Sequence, residues 1–181
     1  MNTIVLAVGV ALFAAISGAV KLHFAYQAMP KGMLFISLVS AGGAVAFAVL
    51  LWLYPQSTMH LLLALGLFAL SGTLFIGTLF VTHSLKQKVA FDPDPPTTLV
   101  QAGPYKYIRH PFYLSYILFW LGCAVATMHP ISLAVLVILA FTYTYAALRE
   151  EHAFGNSDYA KAYAIYRNSA GFLWPKFRGR S

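Results

Sequence analysis

Residues 59–83 read MHLLLALGLFALSGTLFIGTLFVTH and contain no Asp, Glu, Lys or Arg. At about 1.5 Å per helical residue, such a stretch is long enough to cross a hydrocarbon core of roughly 30 Å. Four more apolar stretches have the same character, at residues 3–26, 33–54, 111–127 and 131–148. The sequence therefore predicts an all-α integral membrane protein with five transmembrane helices, of which the fourth is short.

The composition excludes an ordinary soluble domain. Apolar residues make up 60% of the 181 residues and charged residues only 9%, and a soluble core of this size could not bury five uncharged helices at once. We expect two parts, three N-terminal transmembrane helices in residues 1–83 and a functional part in residues 84–181. The first helix is expected to be retained, because Met1-Asn2-Thr3 lacks the basic residues of a signal peptide.

The charged residues are confined to three short stretches, at residues 21–31, 86–109 and 149–180. With five spans, all three lie on one side of the membrane, while the opposite loops at 55–58 and 128–130 hold no Lys or Arg. The positive-inside bias then predicts an outside N-terminus and a cytoplasmic C-terminal helical segment. The net charge of +7 is a topology signal, and no nucleic-acid partner is expected because the basic residues form no dense tract.

A metal site is not expected. Cys123 is the only cysteine and falls within a span, where a small packing residue is the ordinary role. His23, His60 and His83 lie near helix ends, and none has a second ligand three or four residues away. They are interpreted as interfacial histidines or as histidines with satisfied hydrogen bonds.

The character of the chain changes at residue 84, where a polar connection runs to residue 110. Its Asp92-Pro93-Asp94-Pro95-Pro96 stretch cannot be helical, and its aromatic continuation favours a functional loop over a disordered linker. The connection ends in Arg109-His110-Pro111, where a proline is well suited to begin the fourth span. Free N–H groups at this helix start and the Arg109 guanidinium could bind an anion.

Glu150-Glu151 lies at the same end of the predicted helical hairpin as Arg109, because the fourth and fifth spans are antiparallel. A ligand with a carboxylate and with cationic or hydroxyl groups would fit between them. The alternative is that Arg109 is an ordinary positive-inside residue that pairs with one of the glutamates. Tyr159, Tyr163 and Tyr166 share a helical face, which suits either membrane-interface anchoring or the wall of a cofactor site.

These residues carry a resemblance. The string Gly103-Pro104-Tyr105-x-x-x-Arg109-His110-Pro111-x-Tyr113, the apolar hairpin, Glu150-Glu151 and the later pattern resemble the isoprenylcysteine carboxyl methyltransferase and phospholipid methyltransferase superfamily over roughly residues 90–176. The later pattern consists of Phe154-Gly155, Tyr159, Tyr163, Arg167 and Pro175. Ser115 departs from it, since many relatives have glycine there.

The resemblance implies S-adenosylmethionine as methyl donor and a lipophilic small molecule or lipid as acceptor, which reaches the site from the bilayer. The positive-inside bias puts this site on the cytoplasmic side. The resemblance also implies that catalysis involves Arg109, His110 and Arg167. The implied cofactor-binding residues are Tyr105, Arg109, His110, Pro111, Tyr113, Leu114, Glu150, Glu151 and Tyr163. Aromatic rings can stabilise the sulfonium by cation–π attraction. A carboxylate acceptor would need no base, whereas an amine would need His110 or a glutamate as base.

Two alternatives stay open at this stage. A membrane reductase with a nicotinamide cofactor has a similar hairpin architecture, although such enzymes usually have more than five spans. A non-catalytic membrane protein that kept the fold is the other. Transport is disfavoured because no Lys, Arg, Asp or Glu lies at mid-depth of a predicted span. The sequence makes no prediction of oligomeric state.

Overall fold

The structure, a computed structural model, describes residues 1–25, 29–83, 87–88, 91 and 98–177. The predicted Asp92–Pro96 stretch therefore lies outside the described residues, as does the end of the first predicted span. Within them the chain is predominantly helical, as predicted. The helices are α1 (Asn2–His23), α2 (Lys31–Leu53), α3 (Thr58–Thr82), α4 (Pro111–Thr127), α5 (Pro130–Gly155) and α6 (Ala160–Ser169).

Four of these helices, α1, α2, α3 and α5, are long and apolar enough to cross a membrane, and α4 is a shorter apolar helix. At 17 residues, α4 has a length of about 25 Å, so the predicted fourth span falls short of a full crossing by length alone. In contrast, α5 has 26 residues and a length of about 39 Å, which exceeds the hydrocarbon thickness. Its last turns, which carry Glu150 and Glu151, therefore extend beyond the apolar part.

The core is formed where α3 and α5 pack on α4, and the contact between α3 and α4 is the most extensive between any two described elements. Phe68 is 1% exposed and stacks on Phe119 with ring centroids 5.4 Å apart. Gly122 permits this close approach, because a Cβ at that position would lie 2.6 Å from the Phe68 ring. Helix α4 is thus the buried centre of the bundle and fixes the position of its own N-terminus.

Short segments near residues 24 and 103 complete the described fold. The two-residue strands β1 (Phe24–Ala25) and β2 (Gln87–Lys88) pair in parallel, which joins the end of α1 to the chain after α3. A 3₁₀ helix, Gly103–Lys106, follows and packs on the last turns of α3. Gly103 has φ +55, and a Cβ there would clash with the Val81 side chain. This glycine lets the chain turn tightly against α3 before it enters α4.

Candidate active site

The start of α4 is fixed by its own sequence. Pro111 is the first helical residue and is buried, and His110 precedes it with non-helical backbone angles, φ −124 and ψ 62. The helix ladder begins with the bond from Leu114 N to the His110 carbonyl, at 3.1 Å. Proline suits this position because its missing N–H needs no partner. Arg109 and His110 are therefore fixed at the end of the α4–α5 hairpin opposite its turn.

The Arg109 guanidinium donates hydrogen bonds to three acceptors. Its Nε donates to Glu151 Oε1 at 2.7 Å, and its Nη1 donates to the carbonyls of Arg167 at 3.1 Å and Ala170 at 2.5 Å. The side chains of Arg109 and Glu151 are only 9% and 10% exposed. Arg109 thus ties together the start of α4, the end of α5 and the end of α6, as a structural clamp.

His110 lies between the two glutamates. Its Nε2 is 3.3 Å from Glu151 Oε1, and its Nδ1 is 3.6 Å from Glu150 Oε2. Burial alone would lower the pKa of His110, but the hydrogen bonds and charges of Glu150 and Glu151 outweigh burial and raise that pKa above its ordinary 6.5. The imidazole is therefore biased toward its positively charged form.

Glu150 differs from Glu151 in its partners and in its exposure. The Tyr113 hydroxyl donates a short hydrogen bond to Glu150 Oε1, yet the Glu150 side chain is 38% exposed. Tyr113 itself is buried and stacks on Tyr143 of α5, with ring centroids 5.8 Å apart. The carboxylate of Glu150 is thus oriented by a fixed partner while part of it stays open to a ligand.

Helix α6 closes the site from the C-terminal side. Arg167 places its Nε 3.8 Å from Glu151 Oε2 and is 65% exposed. Tyr163 is buried and stacks on Phe154 with ring centroids 4.8 Å apart and planes at 8°. Burial, followed by the Glu151 charge, raises the pKa of Tyr163 well above its ordinary value.

The tyrosine face predicted from helical spacing points into the protein. Tyr163 and Tyr166 are 6% and 4% exposed, and the Tyr166 hydroxyl donates to the Tyr105 carbonyl at 2.7 Å. Tyr159 is half-buried and its ring is 6.4 Å from that of Phe154. Buried rings cannot anchor a membrane interface, so this face serves as a wall between α6 and the 3₁₀ helix.

A segment that the sequence reasoning did not place in the site, residues 170–172, lies directly on it; we call it the strap. Arg109 N donates to the Gly171 carbonyl at 2.8 Å, and His110 N donates to the Phe172 carbonyl at 3.3 Å. The Phe172 ring lies 5.7 Å from the Arg109 guanidinium and 5.1 Å from the His110 ring. Position 171 requires a glycine, because a Cβ there would clash with the Trp174 carbonyl, a constraint that is visible only in the structure.

All of the predicted site residues gather around the start of α4. Pro111 and Leu114 lie in the first turn of α4, and Tyr105 lies in the 3₁₀ helix that precedes α4, where its carbonyl accepts from the Tyr166 hydroxyl. Ser115, the departure from the family pattern, is fully buried and faces α3. Its Oγ donates to the Phe112 carbonyl at 2.7 Å, and its own carbonyl accepts from Ser71 Oγ at 2.7 Å. The bond to α3 thus uses the Ser115 backbone, while the Ser115 hydroxyl bonds within α4.

Comparison with known proteins agrees with this geometry. The phospholipid methyltransferase family model matches residues 59–162, a range that runs from α3 through Glu150 and Glu151 into α6. The chain belongs to this family of membrane methyltransferases. The resemblance inferred from the sequence is thereby confirmed.

A more distant similarity is found to the protein-S-isoprenylcysteine O-methyltransferase of Saccharomyces cerevisiae. The two are 25% identical over 89 residues, which are 49% of this chain and 37% of the yeast protein. The match thus spans little more than a third of the relative's length. No solved structure is significantly similar to the chain.

Proposed function

We propose that this chain is an integral membrane methyltransferase that transfers a methyl group from S-adenosylmethionine to a lipophilic acceptor. The observation that carries the proposal is the cluster of Arg109, His110, Glu150 and Glu151, which meets at one end of the α4–α5 hairpin inside the family match. Charged side chains gathered beside a bilayer and largely buried are expensive to maintain, and they indicate a site.

The available groups match the chemistry of the donor. Glu150, half-open and oriented by Tyr113, suits an ammonium group or ribose hydroxyls. Arg167, exposed beside the cluster, suits a carboxylate. Arg109, which the sequence alone also offered as a carboxylate partner, is already bound to Glu151 and to two carbonyls. We therefore assign Arg109 to holding the site together and Arg167 to contacting ligands.

S-adenosylmethionine, when bound, supplies an activated methyl group on a sulfonium. The residues of this chain would orient the acceptor, exclude water and balance charge, and orientation alone can lower a barrier by several kcal/mol. The Tyr113 hydroxyl donates to Glu150 and the Phe172 ring lies beside His110, and tyrosine or phenylalanine faces stabilise cations. The position of Tyr113 next to Glu150 fits a positively charged donor.

The charge balance favours an acceptor with a carboxylate over an amine. With His110 protonated, the described cluster holds three cations (Arg109, His110 and Arg167) against the two glutamates. A cationic donor adds to this positive excess, which an anionic acceptor would offset. A protonated His110 is also a poor base, and a carboxylate needs none.

The topology proposal follows the distribution of charge. The site end of the hairpin carries Lys106, Arg109, Arg149 and Arg167, while the opposite turn at residues 128–129 carries no Lys or Arg. By the positive-inside bias, the site faces the cytoplasm and the N-terminus lies outside. The acceptor would enter from the cytoplasmic leaflet.

The proposed activity is tested with the purified chain in lipid nanodiscs and methyl-labelled S-adenosylmethionine. Two acceptors are compared, a prenylated cysteine, which offers a carboxylate, and a phosphatidylethanolamine, which offers an amine. Methyl transfer is measured as the label that partitions into the organic phase. We expect transfer to the carboxylate, lost in Glu150→Gln and kept in Asp158→Asn, which removes an exposed carboxylate elsewhere. Transfer to the amine alone would contradict the charge argument, and transfer to no lipophilic acceptor would contradict the proposal.

A further inference from the structure

We propose that a basic aromatic patch formed by Tyr107, Trp174, Phe177, Lys106 and Lys176 docks onto anionic lipid headgroups of the leaflet that surrounds the site. The patch lies outside the candidate active site. Its existence does not depend on the methyl donor or the acceptor.

The patch is built on fixed backbone. The Tyr107 carbonyl accepts from Gly171 N and from Lys176 N, both at 3.0 Å. The rings of Tyr107 and Phe177 have centroids 5.5 Å apart. The C-terminal segment is therefore anchored to the junction between the 3₁₀ helix and α4, and it holds the rings in one place.

The rings nevertheless face outward. Tyr107 is 45% exposed, Trp174 is 79% exposed and Phe177 is 72% exposed. The adjoining rings of Tyr107 and Phe177, with Trp174 on the same short segment as Phe177, expose aromatic surface that is unfavourable in water and marks an interaction site. Trp and Tyr in this setting are enriched at membrane–water interfaces, where an apolar ring and a polar edge are both satisfied.

The level of the patch agrees with a bilayer interface. The 3₁₀ helix that precedes Tyr107 packs against the last turns of α3, where a Cβ at Gly77 would lie 3.7 Å from Pro104 Cγ. Phe80, in the same turns of α3, is 76% exposed, as expected of a residue that faces lipid. Tyr107 therefore lies close to the point where the α3 span ends.

The charge of the patch selects the lipid. Lys106 and Lys176 are both exposed, and the Lys176 ammonium donates to the Asn168 carbonyl at 2.9 Å, a neutral partner. The acidic residues within the described part of the chain are Glu150, Glu151 and Asp158, and both glutamates face the active-site cluster. Among the described residues neither lysine forms an ion pair with a carboxylate, and lysines beside interfacial rings attract anionic headgroups.

Docking of the patch has a consequence for the site, and this consequence rests on the proposed function. The chain that carries Trp174 continues from the strap, whose Gly171 and Phe172 carbonyls bind Arg109 and His110. A bilayer that holds Trp174 and Phe177 also holds the strap over the cluster. Anionic lipid is therefore expected to strengthen donor binding.

The test measures lipid contact at Trp174 in nanodiscs that contain brominated phosphatidylglycerol or brominated phosphatidylcholine. Because Trp52 and Trp120 also fluoresce, the Trp174 signal is the difference between the native chain and Trp174→Phe, an exposed and conservative change. We expect brominated phosphatidylglycerol to quench Trp174 more strongly. Lys106→Gln and Lys176→Gln should each reduce the preference for phosphatidylglycerol roughly fivefold, whereas Lys161→Gln, exposed on α6, should leave it unchanged.

Equal quenching by the two lipids, or no quenching by either, would overturn the proposal. An equal effect of Lys161→Gln would overturn it as well, because the preference would then follow net charge and not the patch. The affinity for S-adenosylhomocysteine, with and without phosphatidylglycerol, tests the consequence for the site. Quenching that persists in a protein that binds no S-adenosylhomocysteine would support the patch and contradict the proposed function.

Discussion

The two ends of the α4–α5 hairpin are held together by different kinds of contact. At the turn, Met128 adopts the left-handed conformation with φ 45, and His129 Nδ1 accepts from Ile131 N at 3.2 Å. His129 also stacks on Tyr54, with ring centroids 6.2 Å apart. This end is closed by local backbone and ring contacts and holds no Lys, Arg, Asp or Glu.

The open end of the hairpin is held by long-range polar contacts. Arg109 and Glu151 are 42 positions apart in sequence, and Arg109 and Ala170 are 61 apart. These contacts bring charged groups into a buried environment, which a structural closure alone would not require. The difference supports the proposal that the open end binds a ligand, whereas the turn only connects the two helices.

The largest effect is expected from Arg109→Ala, which breaks the clamp and leaves Glu151 with reduced compensation. Removal of one partner from a buried pair costs about 3–5 kcal/mol, so the free energy of unfolding in detergent should fall by this order. Arg167→Ala is the control, because that side chain is 65% exposed and surface ion pairs contribute about 1 kcal/mol or less. Similar stability losses in both variants would contradict the assignment of Arg109 as the clamp.

A smaller effect is expected from Gly171→Ala in the strap. The added Cβ meets the Trp174 carbonyl, which is backbone and cannot rotate away, and overpacking of this kind costs about 1–3 kcal/mol. Thermal unfolding should show the loss. Gly155→Ala is the matched control because nothing lies within 4 Å of a Cβ there, and a loss as large at Gly155 would remove the steric explanation.

At the turn, His129→Ala removes a side-chain acceptor at the start of α5. Loss of such a cap costs about 1 kcal/mol, and a modest decrease in thermal stability should follow. Binding of S-adenosylhomocysteine should be unchanged, since His129 lies at the other end of the hairpin. A strong loss of binding would show that the two ends are coupled and would weaken the comparison.

The smallest expected effect is that of pH on thermal stability. Because Glu150 and Glu151 raise the pKa of His110 in the folded state, its contribution is fully present below pH 6.5 and is lost as the pH rises through the raised pKa. Thermal stability should therefore decrease over that interval, and His110→Gln should flatten the dependence. An unchanged slope in His110→Gln would assign the effect to another group.

Much of the hairpin could be predicted from sequence. The uncharged runs predicted the two helices, and the Arg109-His110-Pro111 motif predicted where the first of them begins. Because antiparallel neighbours place their ends at one level, Arg109 was expected to meet Glu150-Glu151. The sequence could not choose between Arg109 as a ligand contact and Arg109 as the partner of a glutamate. The choice depends on side-chain geometry, which places Glu151 on Arg109 and leaves Glu150 to Tyr113.

The strap was beyond sequence reasoning for a different reason. Its bonds to Arg109 and His110 use backbone groups of Gly171 and Phe172, and backbone pairing across 62 positions leaves no side-chain pattern to read. The buried direction of Tyr163 and Tyr166 was likewise undecided, because helical spacing identifies a shared face and not what the face contacts.

The most direct test of the account is calorimetric binding of S-adenosylhomocysteine to the native chain, to Glu150→Gln and to Asp158→Asn. A hydrogen bond to a charged group contributes about 1.5–3 kcal/mol, so the affinity should fall by roughly ten- to a hundredfold in Glu150→Gln. Asp158→Asn should bind as the native chain does. Native affinity in a well-folded Glu150→Gln variant, or no binding by the native chain, would contradict the claim that the open end of the hairpin binds the methyl donor.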